Sequence, residues 1–461
     1  MRFSTHPKAR VALTLLSILT IMSALTFVVF HAPITSAHAA GLTATKPAKN
    51  MHIKSIDTGK QAPTDAQCIA RGFHCYSPQQ IRTAYGVAPL IDAGYAGKGQ
   101  TVVIIDSFGS PTAYQDLQTF DAGYGLPDPP SFQQLAPFGS VPFDPTSADQ
   151  LGWAEETSLD VQWAHAMAPA AGIIVLTSPV SETQGVQGLP EFLKLEQYAL
   201  DHRLGKIISQ SWGTTENTLF TPAGKKVLTA FQNLYERAAD SHVTVFASSG
   251  DAGTGNPDVN GNTYPFPTVG FPASSPWVTA VGGTSLYADL NGTYQSETVW
   301  NDGVGSATGG GISQYFKEPN FQKDNLPAAT QTLLGGHRGL PDISYAADPN
   351  TGVPVYLGFL PNRVGRFYVF GGTSAGSPQW AGIIADANQS AGHSLGFLNT
   401  ALYRLGSGKS AAYSFNDITV GNNAQPPIAG YNATPGWDAA TGWGTPKTVG
   451  LVLNLIKMLK N

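Results

Sequence analysis

Short apolar runs rich in β-branched residues constrain the fold of this chain more than any other feature of its sequence. Such unbroken apolar runs are typical of strands that are buried on both faces. They lie at Thr101–Ile105, Gly172–Leu176, Lys206–Ser209, Val243–Ala247 and Trp277–Val281. Stretches with helical character lie between several of them, at Asp149–Met167, Pro190–Arg203 and Lys225–Ala239. This alternation predicts an α/β fold with a mainly parallel central sheet flanked by helices, and functional residues beyond the carboxyl ends of the strands.

The length and charge of the chain indicate one large domain and argue against nucleic-acid binding. The chain has 461 residues, of which 42% are hydrophobic, and this is enough for one large domain. Charged residues make up 12% of the chain and its net charge is −5. We see no basic stripe and therefore expect no nucleic-acid partner. A surface with few carboxylates has few groups to protonate as pH falls, which suits an acidic medium.

The N-terminal 40 residues have the pattern of a secretory signal peptide. Three basic residues precede an apolar run from Val11 to Phe30, and Ala37-His38-Ala39 offers a cleavage site. We therefore predict a secreted, extracellular protein without stable membrane association. The apolar run is long enough to span a bilayer, so an uncleaved anchor is the alternative.

The next segment, residues 41–75, is expected to be a short pro-segment or a flexible linker. Residues 41–66 are rich in Lys, Thr, Ala and Pro and show little apolar periodicity. The two cysteines of the chain, Cys68 and Cys75, follow, and in a secreted protein they would close a small local loop. The main domain is predicted to span residues 76–461.

A glycine-flanked serine is the candidate nucleophile. The sequence from Gly371 to Pro378 is GGTSAGSP, and it leads into a predicted helix. Ser374 would lie at the first helical turn, near free N–H groups and the positive end of the helix dipole. An ordinary helix cap is the alternative, because serine is favoured there for local reasons.

Two acidic residues on one predicted helix are the candidate base and its partner. Glu156 and Asp160 are four residues apart, so their carboxylates lie on one face of a helix that ends at Pro169. Carboxyls held together in a cleft would share a proton, and the pKa of one would rise. The alternative is a solvated acidic face, which the adjacent Glu155 favours.

Three further candidates follow predicted strands. Asp251 lies in SSGDAG after the strand at Val243–Ala247, and by itself it is a turn former. Ser211-Trp212-Gly213 follows the strand at Lys206–Ser209, and Asp106 ends the first strand. Asp106 is equally well explained as an ordinary aspartate at a strand end.

These motifs resemble those of the sedolisin family. The string G-T-S-A-x-x-P followed by A-G is shared by subtilisin-like and sedolisin-like peptidases, but the H-G-T motif of the subtilisin-like histidine is missing. E-x-x-x-D ahead of A-x-A-P, and S-x-G-D-x-G, are sedolisin patterns. The match covers roughly residues 76–450. It implies a subtilisin-like three-layer fold and acid-acting endopeptidase activity on proteins or peptides.

The resemblance also implies roles for the candidate residues. Ser374 would be the nucleophile, Glu156 the base and Asp160 its orienting partner, and a protonated Asp251 would donate to the oxyanion. Ser211, Trp212 and Gly213 would form an edge that binds substrate as an added strand, and Asp106 would lie behind the catalytic pair. One calcium ion would be bound by the carboxylates of Asp417 and Asp438. Backbone carbonyls at three matching positions would complete the site: Ile418, Thr434 and Gly436. Thr434 stands where the family has glycine.

One departure from the family pattern is large. Sedolisins are usually made with a long folded prodomain, whereas only about 35 residues separate the predicted signal from the core, too few for such a domain. Two alternatives to a serine-carboxyl peptidase stay open. One is a subtilisin-like peptidase with a histidine base, for which His165 and His337 lack the expected setting, and the other is a secreted binding module that does not cleave its partner. We expect a monomer.

Overall fold

Parallel strands form the centre of the fold, as the apolar runs predict. The computed structural model describes residues 53–56, 58–303, 305–360 and 365–459, which belong to one compact unit. The predicted signal peptide and the segment 41–52 lie outside the described residues. None of the helices in the described ranges is long and apolar enough to cross a bilayer.

Eighteen strands are found in the described residues. They are β1 (Ile53–Ser55), β2 (His74–Cys75), β3 (Thr101–Ser107), β4 (Phe132–Leu135), β5 (Gly172–Ser178), β6 (Ile207–Gln210), β7 (Thr214–Thr215), β8 (Thr244–Ser248), β9 (Gly270–Phe271), β10 (Thr279–Ala288), β11 (Tyr294–Val299), β12 (Gly311–Lys317), β13 (His337–Leu340), β14 (Ile343–Ala346), β15 (Thr351–Leu357), β16 (Arg366–Phe370), β17 (Phe415–Asn416) and β18 (Thr445–Pro446).

Thirteen α-helices are found in the same residues, together with two 3₁₀ turns at Glu216–Leu219 and Thr373–Ala375. The helices are α1 (Asp65–Ile69), α2 (Pro78–Ala84), α3 (Ala88–Asp92), α4 (Ala113–Tyr124), α5 (Ala148–Met167), α6 (Leu189–Asp201), α7 (Pro222–Asp240), α8 (Asn320–Lys323), α9 (Ala328–Leu334), α10 (Gly376–Ala391), α11 (Asn399–Gly406), α12 (Ala411–Ser414) and α13 (Thr448–Met458).

The main sheet has the strand order β11-β10-β8-β6-β3-β5-β4, and β14 also pairs with β10. All of its pairings are parallel except that of β10 with β11. The chain order reverses direction at β3, which lies between β5 and β6. Ligand sites of open α/β sheets lie at such a point, beyond the carboxyl ends of the strands. The predicted fold class is therefore confirmed.

Helices cover both faces of this sheet. Helices α5 and α10 pack on one face, and α6 and α7 pack on the other. Strand β3 alternates between the two cores, because Val102 and Ile104 point to the first and Val103 and Ile105 to the second. This two-sided burial explains why its sequence is continuously apolar.

Helices α5 and α10 approach each other closely at a glycine. A Cβ on Gly382 of α10 would lie 2.6 Å from the Met167 Cβ and 2.9 Å from the Ala164 carbonyl oxygen of α5. No larger residue fits there without separating the helices. The contact fixes the position of the N-terminal end of α10 relative to α5.

The described part of the segment 41–75 is folded onto the domain. Strand β1 pairs antiparallel with β16, and Ile53 lies opposite Phe370. Strand β2 pairs with β15, and a disulfide joins Cys68 to Cys75. The two strands β1 and β2 thus add to a second, four-stranded sheet, in which their backbone hydrogen bonds are satisfied.

A buried ion pair joins Arg338 in β13 to Asp342, which immediately precedes β14. Arg338 and Asp342 are both fully buried, and their Nη2 and Oδ2 atoms are 2.6 Å apart. Asp342 also accepts hydrogen bonds from the Ala280 N–H at 2.8 Å and the Tyr403 hydroxyl at 2.9 Å. The carboxylate is thus the charge partner of a buried guanidinium and an acceptor for two other elements.

The substitution Asp342→Asn is expected to lower the free energy of unfolding by about 3 kcal/mol, because it leaves the buried Arg338 charge without its partner. Denaturant unfolding of both proteins measures the difference. The matched control is Asp201→Asn, which removes one partner of an exposed ion pair with Arg237 and should cost less than about 1 kcal/mol. Equal, small effects of the two substitutions would contradict the assignment.

Candidate active site

The predicted site residues converge on one cleft at the carboxyl ends of the parallel strands. Its volume is about 490 Å³. It is lined by the N-terminal half of α5, the loop after β5, the segment after β6, the turn after β8 and the turn before α10. The predicted residues that line it are Glu156, Ser211, Trp212, Gly213, Asp251 and Ser374. Asp106 and Asp160 are fully buried and interact with residues of this group.

Ser374 lies in the 3₁₀ turn Thr373–Ala375, two residues before α10 begins at Gly376. The preceding Gly372 has a φ of +105°. A Cβ there would lie 2.6 Å from the Asp251 Oδ2 atom. Glycine is required at this position both by the backbone angle and by the space that the carboxyl occupies.

The Glu156 carboxyl is buried beside this serine. Only 6% of the residue is exposed, so the pair is not a solvated acidic face. Burial raises the pKa of Glu156 well above its usual value, and the nearby Asp106 carboxyl adds to the rise. A hydrogen bond with the Ser374 side chain acts in the opposite direction and favours the charged form. The Oε1 atom has no hydrogen-bond partner within the described residues.

Asp160 lies one turn further along α5 and is connected to the serine by Ser211. The Ser211 hydroxyl is 2.9 Å from the Asp160 Oδ1 atom and 3.3 Å from the Ser374 carbonyl oxygen. Burial raises the pKa of Asp160 well above its usual value, and Asp106 and Glu156 reinforce the shift. The Ser211 contact favours the ionised form.

Asp106 is the third member of a buried cluster of carboxyls. We call these three residues the carboxyl cluster: Asp106, Glu156 and Asp160. Asp106 ends strand β3 and accepts a hydrogen bond from the Thr157 hydroxyl at 2.9 Å. Burial raises the pKa of Asp106 to about 7. Three carboxyls that interact this strongly cannot all be ionised, so they titrate as a unit.

Asp251 is held on the other side of Ser374. Its Oδ1 atom accepts hydrogen bonds from the Thr373 N–H and from the Thr373 hydroxyl, both at 2.8 Å. The Thr373 hydroxyl also accepts a hydrogen bond from the Gly250 N–H at 3.1 Å. These contacts fix one carboxyl oxygen of Asp251 and direct the other toward the Gly372 backbone.

The predicted calcium residues lie together near the C-terminus. Asp417 accepts a hydrogen bond from the Gly436 N–H at 2.9 Å, and Asp438 accepts one from the Thr434 N–H at 3.1 Å. The described residues contain no group of three or more His, Cys, Asp or Glu suited to a metal. Two carboxylates on one loop system, supplemented by backbone carbonyls such as that of Ile418, nevertheless fit a hard cation that takes oxygen ligands.

No histidine is found among the described residues that line the cleft. His165 is fully buried on α5, and its Nε2 atom is 2.7 Å from the Pro127 carbonyl oxygen. Burial lowers the pKa of His165 to about 4. The alternative of a histidine base therefore gains no support from the geometry.

Several residues of the site were not identified from the sequence. Thr373 and Thr157 are neighbours in sequence of Ser374 and Glu156, and this proximity was the only signal for them. Asp149 and Glu182 also line the cleft. Glu182 lies in a loop without a motif, so no sequence pattern indicated its position.

Fold and site together define a serine-type peptidase of subtilisin-like architecture. No family model matches the chain. Kumamolisin of Bacillus sp. (strain MN-32) is 33% identical over 89% of this chain and 69% of its own length. Sedolisin of Pseudomonas sp. (strain 101) is 33% identical over 83% of this chain, which covers 61% of that relative.

A solved structure of Pseudomonas sedolisin, described as a serine-carboxyl proteinase in complex with pseudo-iodotyrostatin, superposes with a TM-score of 0.69. It is 31% identical and covers 83% of this chain and 98% of its own. The chain belongs to the sedolisin family of serine-carboxyl peptidases, which confirms the resemblance of its motifs.

The buried carboxyls should make the folded protein more stable in acid than at neutral pH. A carboxyl whose pKa is raised by folding holds its proton in the folded state after the unfolded chain has released it. The group contributes its full stability below the unfolded pKa near 4 and loses that contribution as pH rises toward the folded pKa. For Asp106, with a folded pKa of about 7, and for Asp121, with one of about 8, the window is about pH 4 to 8.

We expect the free energy of unfolding to fall between pH 4 and pH 8. Each pKa unit by which folding raises a carboxyl corresponds to about 1.4 kcal/mol of this fall. Denaturant unfolding across this range measures it on Ser374→Ala, which prevents self-cleavage. Asp106→Asn in the same background should flatten the dependence, and a stability that rises with pH would contradict the prediction.

Proposed function

We propose that this protein is an acid-acting serine-carboxyl endopeptidase in which Ser374 is the nucleophile, Glu156 is the base and Asp160 orients it. The observation that carries the proposal is that Ser374 and Glu156 line one cleft, where Glu156 is buried and the Ser374 side chain lowers its otherwise raised pKa. A serine hydroxyl needs an adjacent proton acceptor to be nucleophilic. Among the described residues that line the cleft, Glu156 is our candidate for this acceptor.

The number of protons that the carboxyl cluster holds explains the proposed preference for acid. In the proposed mechanism the three carboxyls share one negative charge, which Glu156 carries when it acts as the base. Hydroxyl groups of Ser374, Ser211 and Thr157 each favour the ionised form of one member of the cluster, and for Glu156 that hydroxyl is the nucleophile itself. Asp160 then stays protonated and keeps its orientation through Ser211 and the adjacent carboxyls. As pH rises the remaining protons are lost, and the like charges disrupt the arrangement.

The reaction then follows the general course of acyl transfer. The Ser374 Oγ atom attacks the peptide carbonyl carbon while its proton passes to Glu156, and the carbonyl oxygen becomes an oxyanion. Glu156 returns the proton to the leaving amine, which leaves an ester on Ser374. A water molecule gives its proton to Glu156 and attacks the ester, and the acid product leaves as Ser374 regains a proton.

Asp251 is proposed to stabilise the oxyanion. A carboxyl can donate to an oxyanion only in its protonated form, which gives a second requirement for acid. The contacts of its Oδ1 atom with Thr373 leave the Oδ2 side beside Gly372, next to the nucleophile. Ser211, Trp212 and Gly213 would bind the substrate backbone along the segment after β6, because they line the same cleft.

We further propose that the protein is secreted as a monomer, acts on proteins or peptides and binds one calcium ion. The signal pattern of residues 1–40 supports secretion. Asp417 and Asp438, with the carbonyls of Ile418, Thr434 and Gly436, would hold the ion, which would cross-link the C-terminal loops.

Casein cleavage measured from about pH 3 to pH 9 tests the mechanism. We expect an acid optimum, and we expect Ser374→Ala and Glu156→Gln each to lower kcat by about a thousandfold or more. The matched control is Glu236→Gln on α7, an exposed glutamate that should have no effect. Activity that peaks above neutrality and survives Glu156→Gln would indicate a different base. Binding of casein without cleavage at any pH would indicate a binding module.

Removal of calcium should lower the thermal stability. An ion at one hundred times its dissociation constant adds about 2.7 kcal/mol to the stability of the folded state. The melting temperature of Ser374→Ala is therefore expected to be several degrees higher in calcium than in a chelator. Asp438→Asn should remove this difference, whereas Asp258→Asn in an exposed turn should not. Identical melting curves with calcium and with chelator would contradict the proposed site.

A further inference from the structure

One wall of the cleft carries acidic residues that the proposed mechanism does not use. Five of the described residues that line the cleft are acidic and none is basic. Two of the five, Glu156 and Asp251, have catalytic roles in the proposed function. The other three form a group on α5 and the loop after β5, and we call them the acidic wall: Asp149, Glu155 and Glu182.

Glu182 has a buried carboxyl oxygen that a bound peptide could satisfy. Only 5% of the residue is exposed, yet its Oε1 atom has no hydrogen-bond partner within the described residues. A buried acceptor without a partner is costly, and a donor supplied from outside would remove that cost. Because Glu182 lines the cleft, a side chain of a bound peptide can supply such a donor.

The surroundings of Glu182 hold it in place. The Glu182 N–H is 3.3 Å from the Ser107 hydroxyl, at the end of β3. The neighbouring Ser181 hydroxyl donates to the Asp149 Oδ1 atom at 2.8 Å and accepts from the Trp153 Nε1–H at 3.0 Å. The loop after β5 is thus attached both to the sheet and to α5, so the two carboxyls keep a fixed spacing.

The same loop is attached to the opposite side of the cleft. The Gln184 Oε1 atom accepts a hydrogen bond from the Thr215 N–H at 2.8 Å, and the Gly185 N–H donates to the Thr214 hydroxyl at 2.7 Å. Such a loop is preorganised, and little conformational entropy is lost when a ligand binds to it.

Aromatic side chains complete the wall. Trp153 and Trp212 both line the cleft, and both contact the Phe192 ring at a tilt, with interplanar angles of 44° and 55°. The aliphatic stem of an arginine or lysine packs well on such surfaces while its charged end reaches a carboxylate. A guanidinium also binds favourably over a tryptophan ring.

We propose that the acidic wall is a specificity subsite that binds an arginine or lysine side chain of the substrate. The inference rests on the proposed peptidase function. Asp149 precedes Glu156 by seven residues on α5, which is about 10 Å along the helix axis. An extended peptide covers that distance in about three residues, so the basic residue lies within about three positions of the scissile bond.

The protonation of the wall makes this preference depend on pH. The charged groups that line the cleft together with Glu182 are all acidic: Asp149, Glu155 and Glu156 from α5, and Asp251 from the turn after β8. Burial raises the pKa of Glu182 to about 8, and Asp149 reinforces the rise. A bound cation favours the ionised carboxylate and so releases a proton on binding. Preference for a cationic side chain over a neutral one should therefore increase as pH rises.

Matched peptides test the proposal. One neutral fluorogenic peptide is varied so that arginine, or its neutral analogue citrulline, occupies each of the six positions around the scissile bond. The ratio of kcat/KM for the two peptides cancels the titration of the catalytic carboxyls, because both substrates depend on them. We expect this ratio to reach about tenfold at one position at pH 4 and to be larger at pH 6.

Variants locate the effect. Glu182→Gln should lower the arginine-to-citrulline ratio of kcat/KM to less than about threefold and remove its pH dependence. Asp149→Asn, at a half-buried position, should lower the ratio in part and serves if Glu182→Gln does not fold. Glu236→Gln is the control and should leave the ratio unchanged.

Two results would contradict the subsite proposal while leaving the proposed peptidase function intact. One is a ratio near one at every position while the citrulline peptides are still cleaved. The other is a ratio that is unchanged in both Glu182→Gln and Asp149→Asn. If no peptide is cleaved, or if cleavage survives Ser374→Ala, the proposed function itself fails, and the subsite proposal fails with it.

Discussion

The close contact between α5 and α10 is the constraint on which the rest of the site depends. Gly382 allows α10 to rest directly on the Ala164–Met167 end of α5, where a single Cβ would come within 2.6 Å of Met167. Ser374 precedes α10 by two residues, and Glu156 lies eight residues before Ala164 on α5. A change in the separation of the two helices would therefore change the distance between hydroxyl and carboxyl. Packing in the core thus determines whether the two reacting groups can meet.

Burial of carboxyl groups links the chemistry to the stability of the fold. Asp106, Glu156 and Asp160 lose water on folding, and this burial raises the pKa of all three. Asp106 further raises the pKa of both Glu156 and Asp160. Outside the cleft the same effect is found at Asp121, where burial raises the pKa to about 8. In acid most of these carboxyls are protonated, so the folded state avoids buried like charges under the conditions in which the proposed base has a protonated partner. The predicted acid stability and the proposed acid activity would then have one physical origin.

Local sequence patterns were sufficient for the fold, and they were insufficient where distant segments meet. The run TVVII predicted strand β3, because a strand that is buried on both faces is apolar at every consecutive position. Residues 53–55 gave no such signal, since their pairing partner β16 is more than 300 residues away in the chain. A short strand at the edge of a sheet needs no apolar pattern when its partner supplies the hydrogen bonds.

The same distinction holds for the candidate site. Glu156 and Asp160 could be paired from their spacing on one helix, and Ser374 from its glycine-rich motif. The sequence could not show that Thr373 holds Asp251, because that contact joins positions 122 residues apart. Glu182 was missed for a similar reason, since its importance lies in burial without a hydrogen-bond partner. Burial of a single polar atom is a property of the assembled structure.

Helix α5 also shows why a carboxyl suits this position better than an imidazole. Burial favours the neutral form of any titratable group, so it lowers the pKa of His165 to about 4 and raises that of Glu156. An imidazole that accepts the serine proton becomes a cation, which such surroundings disfavour. A carboxylate that accepts the same proton becomes neutral, which they favour. In the proposed mechanism, proton transfer to Glu156 therefore removes a buried charge as the oxyanion forms near Asp251, and the low polarity that would weaken a histidine base assists this one.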